Sequence, residues 1–174
     1  MLMNNISKQK GVGLIEILVA LVILAVGILG FVALQYRAVE ATSEAINRVQ
    51  AINVARDLAE RIRANRNAAA IYKNQIETAS NQETFATNCI TNVCSASALA
   101  DFDVSQVVNK ASSLGMTINM LPCSGNNDGR NCIYVAWGDT SATNNAASDP
   151  AGSGDCTYGT AYNPASTCVI METY

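Results

Sequence analysis

One carboxylate stands alone in an apolar field. Glu16 lies near the start of "KGVGLIEILVALVILAVGILGFVALQYRAV", residues 10–39, and residues 17–34 carry no charge. A charge at the centre of a bilayer costs about 2.5–3.5 kcal/mol on insertion scales, and less near an interface. A carboxylate here therefore needs either the headgroup region or a cation. The second reactive set is thiol: Cys89, Cys94, Cys123, Cys132, Cys156 and Cys168. All six lie in the second half of the chain, unevenly spaced and without a C-x-x-C pair. That pattern disfavours zinc or thioredoxin-like chemistry and predicts a disulfide framework in an oxidising compartment. Six cysteines allow fifteen connectivities. The sequential one, Cys89–Cys94, Cys123–Cys132 and Cys156–Cys168, closes the shortest loops at the smallest entropic cost.

Other chemistry is sparse. Histidine is absent, which removes the commonest general base and the mixed Cys/His zinc sites. No G-x-S-x-G motif occurs to support a membrane-anchored periplasmic enzyme. Asp101 and Asp103 read as a helix start, with Asp103 capping and Gln106 in the capping-box position. "GNNDGRN", residues 125–131, offers side-chain oxygens to calcium but lacks the full EF-hand pattern and its closing Glu, so a cysteine-closed polar loop is the expectation. Net charge is −3, with no long basic run, which argues against a nucleic-acid partner.

The element that must position Glu16 is a helix. Residues 12–34 would span roughly 34 Å, enough to cross a hydrocarbon core of about 30 Å. Flanking charge barely orients it, because Lys8 and Lys10 precede it while Arg37 and Arg48 follow. The cysteines break the tie and place the C-terminal part outside the cytoplasm. A cleaved secretory signal, cut near residues 39–41, conflicts with the length of the run and with Glu16 inside it. A plain signal anchor accommodates the length but gives Glu16 no purpose.

The order of a short basic leader, Gly11, apolar Val12, and Glu16 within "VGLIEILVALVIL" closely resembles the class III signal of type IV prepilins and pseudopilins. The resemblance implies that a prepilin peptidase cuts Gly11–Val12 on the cytoplasmic face and methylates the new amine of Val12. Glu16 then becomes the fifth residue of the mature chain. It also implies that Glu16 serves as an assembly contact, paired inside the filament with the Val12 amine of a neighbouring subunit. Two departures stand: Val12 replaces the family's usual Phe, and the mid-helix proline of many major pilins is missing. The N-terminal residues, Leu121–Pro122 followed by Cys123, and a strand ending in Trp137 are most similar to the PilV-type minor pilins.

From Gln35 to Tyr72 there is no Pro or Gly, and Ala, Arg, Glu and Leu dominate, so the helix is expected to continue to Tyr72. Glu44/Arg48, Arg56/Glu60 and Asp57/Arg61 stand four apart on a solvated face. Ala51, Ala55, Leu58 and Ile62 form an apolar stripe on another. Gly27 and Gly30 weaken the apolar half slightly and would permit local extension. A polar loop follows; then Val104, Val107, Val108 and Ala111 mark a helix that Gly115 can end. Residues 116–121, 132–137 and 168–174 read as strands, and residues 138–162 as loop.

The expected class is α+β, the type IV pilin fold. Its divisions are leader 1–11, transmembrane or filament-core helix 12–34, amphipathic continuation 35–72 and periplasmic or extracellular head 73–174. The function that the resemblance implies is a minor pilin in type IV pilus assembly or initiation. It is non-enzymatic and needs no cofactor. Its partners would be prepilin peptidase, other minor and major pilins, inner-membrane assembly proteins and, before assembly, inner-membrane lipid. Two alternatives remain: a minor pseudopilin of a type II secretion system, and a membrane-anchored adhesin or binding module.

Overall fold

The computed structural model describes residues 13–145 and 154–173. The leader and the Gly11–Val12 bond lie outside the described residues. Two compact units divide the chain, residues 1–44 and residues 45–174. Helix α1, Leu14–Ala64, contributes to both.

In the first unit α1 is apolar on every side from Ile17 to Leu34, with charge only before and after that stretch. In the second unit the helix becomes one-sided. Ala51, Val54, Ala55, Leu58 and Ile62 are buried, while Arg56, Glu60 and Arg63 face solvent. Of the anticipated pairs, Asp57–Arg61 closes at 2.8 Å, whereas Glu60 instead faces Arg63 at 3.8 Å.

The helix stops at Ala64 and does not reach Tyr72. Asn65 sits outside the helical region (φ −120°, ψ 48°), and its side-chain amide donates to the carbonyl of Ala96 at 2.8 Å. Asparagine offers the backbone such alternatives to a helix ladder. After a 3-10 turn at Arg66–Ala68, the chain resumes as α2, Ala69–Glu77, and a single turn α3, Ala79–Gln82. The stretch expected to be loop after Tyr72 is thus partly helical. Tyr72 and Ile76 point α2 into the core.

Helix α4, Ala96–Ser113, begins earlier than expected. Its cap is Ser95, whose hydroxyl accepts from Ala98 N at 3.3 Å. Asp103 is therefore mid-helix, and the Asp103/Gln106 capping box does not form. Gly115 ends the helix as anticipated: it takes φ +69°, and its N–H reaches the Ser112 carbonyl at 3.0 Å.

Strands β1, Met116–Pro122, β2, Asn131–Trp137, and β6, Cys168–Glu172, form an antiparallel sheet in the order β1-β2-β6. Strand β1 alternates, with Met116, Ile118 and Met120 inward. Strand β2 is central and buried on both faces. Its Ile133, Val135 and Trp137 join α1, α2 and α4 in the main core. Its Cys132, Tyr134 and Ala136 join a second core with Ala142, Cys156 and Cys168. Two-sided burial explains why "CIYVAW" is a continuous apolar run and not an alternating one.

Residues 138–162, expected to be loop, carry a second small sheet. Strands β3, Ser141–Asn145, and β4, Asp155–Tyr158, pair in parallel; β4 pairs antiparallel with β5, Ala161–Tyr162. The structure joins Cys89 to Cys94, Cys123 to Cys132, and Cys156 to Cys168. The last of these ties β4 to β6 and so fastens the second sheet to the first. Asn/Ser/Thr-rich strands bury little apolar surface beyond Ala142 and Cys156, so a covalent tie reinforces the small core they share.

Candidate functional site

The site is built on the first unit's helix. Every large apolar side chain from Leu14 to Leu34 is at least 50% exposed. Monomeric soluble proteins rarely expose apolar patches beyond a few hundred Å², so a sleeve of this kind calls for lipid or protein around it. The helix contains an 18-residue window of mean hydropathy 3.2, long and apolar enough to cross a membrane. A helix suits such surroundings because its backbone polar groups are satisfied within the segment.

Glu16 occupies the first turn of this helix, and its N–H donates to the Gly13 carbonyl at 2.9 Å. A carboxylate there interacts favourably with the positive end of the helix dipole, by about 0.3–1 kcal/mol in exposed positions. The side chain is exposed beside the exposed Ile15 and Ile17, with no ion pair of its own among the described residues. The next charges along α1 are Arg37 and Glu40, which pair with each other at 3.2 Å. If a like helix covered this sleeve, the carboxylate would need a cation, a proton or hydrogen-bond donors. Gly27 and Gly30 stay helical, with no side chain near enough to require a glycine at either place.

In the second unit, a polar cluster that local sequence did not disclose fastens α1, α2 and α4 together. The Arg61 guanidinium donates to Asp57 at 2.8 Å and to Asp103 at 2.5 Å. The Tyr72 hydroxyl donates to the other Asp103 oxygen at 2.5 Å, and Lys110 reaches Asp57 at 3.2 Å. Asp103 is only 7% exposed, so both its oxygens are committed inside the protein. Burial acts to raise the Asp57 carboxyl, but hydrogen bonds and charge from Arg61 and Lys110 outweigh it and hold it below the usual carboxylate range. Burial likewise opposes the Arg61 charge, and its two carboxylate partners more than compensate, so it stays protonated. Burial, reinforced by Asp103, pushes the Tyr72 phenol well above its ordinary value. These shifts belong to a structural clamp. No cleft collects these side chains around a substrate-sized space among the described pockets.

The calcium-like loop is occupied differently. Asp128 pairs with Arg130 at 2.9 Å, and Arg130 also bonds Glu172. Asp101 accepts from the Ala86 N–H at 2.8 Å, bracing the segment before α4.

Two family models match the chain in tandem. Residues 6–32 match the prokaryotic N-terminal methylation motif, the stretch that holds Gly11, Val12 and Glu16. Residues 33–105 match the model for type IV pilin Tt1218, covering the rest of α1 and reaching the middle of α4. Together the two matches support a type IV pilin-like protein. Its architecture fits the α+β pilin fold: a long N-terminal apolar helix, a small antiparallel sheet and disulfides. No curated protein and no solved structure matches this pilin-like chain. Glu16 and most of the sleeve lie in the segment that the methylation-motif model matches, and the clamp lies within and beside the segment that the pilin model covers.

Proposed function

We propose that the chain is a minor pilin, a structural subunit that helps to start or assemble a type IV pilus. A prepilin peptidase cuts between Gly11 and Val12 and methylates Val12. The apolar half of α1 then holds the subunit in the inner membrane as a single pass, with residues 73–174 and the packed end of α1 in the periplasm. On assembly, lipid around α1 is exchanged for the helices of other minor and major pilins, guided by inner-membrane assembly proteins, and the subunit reaches the cell surface. Glu16 pairs there with the Val12 amine of a neighbour. The observation that supports this reading is the apolar sleeve, exposed on every side, with a single carboxylate in its first turn. Six paired cysteines and long polar connections suit a head that works outside the cytoplasm.

Shearing separates the possibilities. A tagged full-length chain, expressed in a piliated host lacking its own copy, is expected in the sheared filament fraction in small amount relative to the major subunit. Loss of the gene should reduce surface pili. Normal piliation with loss of a secreted enzyme instead would assign the chain to a secretion apparatus. A chain found only as soluble periplasmic protein would overturn the proposal.

A further inference from the structure

The loop before α4 carries an unusual tip. Cys89 and Cys94 close a six-residue ring, and its two β-branched apolar side chains, Ile90 and Val93, are 79% and 103% exposed. Single exposed apolar residues are ordinary. This pair is different because the ring is already ordered. The Asn88 carbonyl takes both the Asn92 N–H at 3.1 Å and the Asn92 side-chain amide at 3.0 Å, and the Asn88 side chain takes the Ile90 N–H at 2.9 Å. Phe85 stacks edge-on against Phe102 beneath it, with ring centroids 5.1 Å apart. A preorganised apolar knob loses little conformational freedom when it docks.

The same unit holds a groove of about 600 Å³ between α1, the start of α2 and the end of β6. Ala59, Ile62, Ala69 and Met171 supply apolar lining; Arg56 and Arg66 also line it, while its two carboxylates are answered, Glu60 by Arg63 at 3.8 Å and Glu172 by Arg130. Neither Arg56 nor Arg66 has an ion-pair partner among the described residues. Charge matches the knob to the groove. Residues 74–109, which flank the knob, contain four carboxylates and no lysine or arginine. Glu77 and Asp103 are consumed by Lys73 and Arg61, and Asp101 holds a backbone N–H. Glu83 is left exposed and without an ion pair among the described residues. The Asn65–Ala96 hydrogen bond sets the start of α4 beside the Arg66 end of the groove, so knob and groove are neighbours. A chain's own knob does not fill its own groove, since both apolar side chains remain open to solvent.

We propose that this face is a self-association surface, on which Ile90 and Val93 of one copy enter the arginine-lined groove of a second copy, and Glu83 meets Arg66 or Arg56. The contact joins heads and is separate from any packing of the apolar helices. It goes beyond the pilin reading and does not depend on leader cleavage or on filament formation.

The test uses the full-length chain in membranes of cells that build no pilus. Val93 of one tagged copy is replaced by the photocrosslinker p-benzoylphenylalanine, and a second copy carries a different tag. Irradiation is expected to give a mixed-tag adduct whose acceptor peptide contains Ile62, Ala69 or Met171. Arg66→Glu in the acceptor should lower the yield about tenfold by setting like charges together, and Glu83→Arg in the donor should restore it. Arg66 is exposed, so its replacement leaves the fold intact. Adducts formed only with lipid or with other proteins would overturn the proposal. So would adducts that map elsewhere, or that ignore the Arg66 change.

Discussion

Asp103→Ala is expected to destabilise the head by about 3 kcal/mol, roughly two powers of ten in its folding equilibrium. The carboxylate is 7% exposed, accepts the Tyr72 hydroxyl at 2.5 Å and holds the Arg61 guanidinium at 2.5 Å. Its removal strands a buried phenol and halves the compensation of a partly buried cation. Breaking a buried pair typically costs about 3–5 kcal/mol. The lower end applies because the Arg61 side chain is 33% exposed and keeps Asp57. Tyr72→Phe deletes one charge-assisted hydrogen bond and should cost about 1.5–3 kcal/mol. The chain's single tryptophan, Trp137, is 6% exposed against the same core and reports unfolding by its fluorescence. Urea titration of the full-length chain in detergent would measure both changes; a loss below about 1 kcal/mol for Asp103→Ala would contradict the clamp. The same titration across pH carries a signature of Asp57. Its folded pKa lies below its unfolded one, so its contribution is present above the unfolded value of about 3.9 and is lost as pH falls through the folded value. Asp57→Asn should remove that part of the acid limb and leave the neutral plateau flat.

Glu16→Ala should leave membrane insertion intact or improved, because a costly carboxylate is gone from the apolar segment. Leader cleavage should persist, since the proposed cut lies at Gly11–Val12, away from Glu16. What should fail is incorporation. A filament interior has neither water nor headgroups, and the Val12 amine of a neighbour would lose its counter-charge at a cost of about 3–5 kcal/mol. The variant is then expected to accumulate in the inner membrane and to be depleted from sheared filaments by at least about tenfold. Glu16→Gln keeps hydrogen-bonding capacity and should be milder. Glu16→Lys sets two cations together and should be worst. Immunoblots of membrane and filament fractions compare the three. Entry of all three at the level of the unaltered chain would show that Glu16 is not an assembly contact.

The elements that proved legible are those whose signals are local and strong. An uncharged run marks α1, period-3.6 valines mark α4, and a glycine at φ +69° closes it. Strand β2 declares itself because burial on both faces makes it apolar throughout. The failures share one cause, a partner distant in sequence. Asp103 reads locally as a cap, yet its fate is set by Arg61, forty-two residues earlier, and by Tyr72. Strands β3 to β5 are built from Ser, Asn, Thr and Ala, which also make loops. Their order comes from the Cys156–Cys168 tie and from mutual pairing. Ala-rich sequence past Ala64 favours a continuing helix, but Asn65 commits its side chain to the Ala96 carbonyl. For the candidate site, the leader pattern and Glu16 needed only adjacent residues, whereas the knob and groove needed the fold.

The central claim, that this chain is a processed pilin subunit, rests on one bond. Co-expression of the full-length chain with a prepilin peptidase, followed by intact-mass and N-terminal peptide analysis, tests it most directly. The account predicts loss of residues 1–11 and a mature chain that begins with N-methylated Val12. Replacing Gly11 with a bulky residue should block that cut. An unprocessed chain, or one cut near residues 39–41 that leaves a soluble protein without the apolar helix, would contradict it.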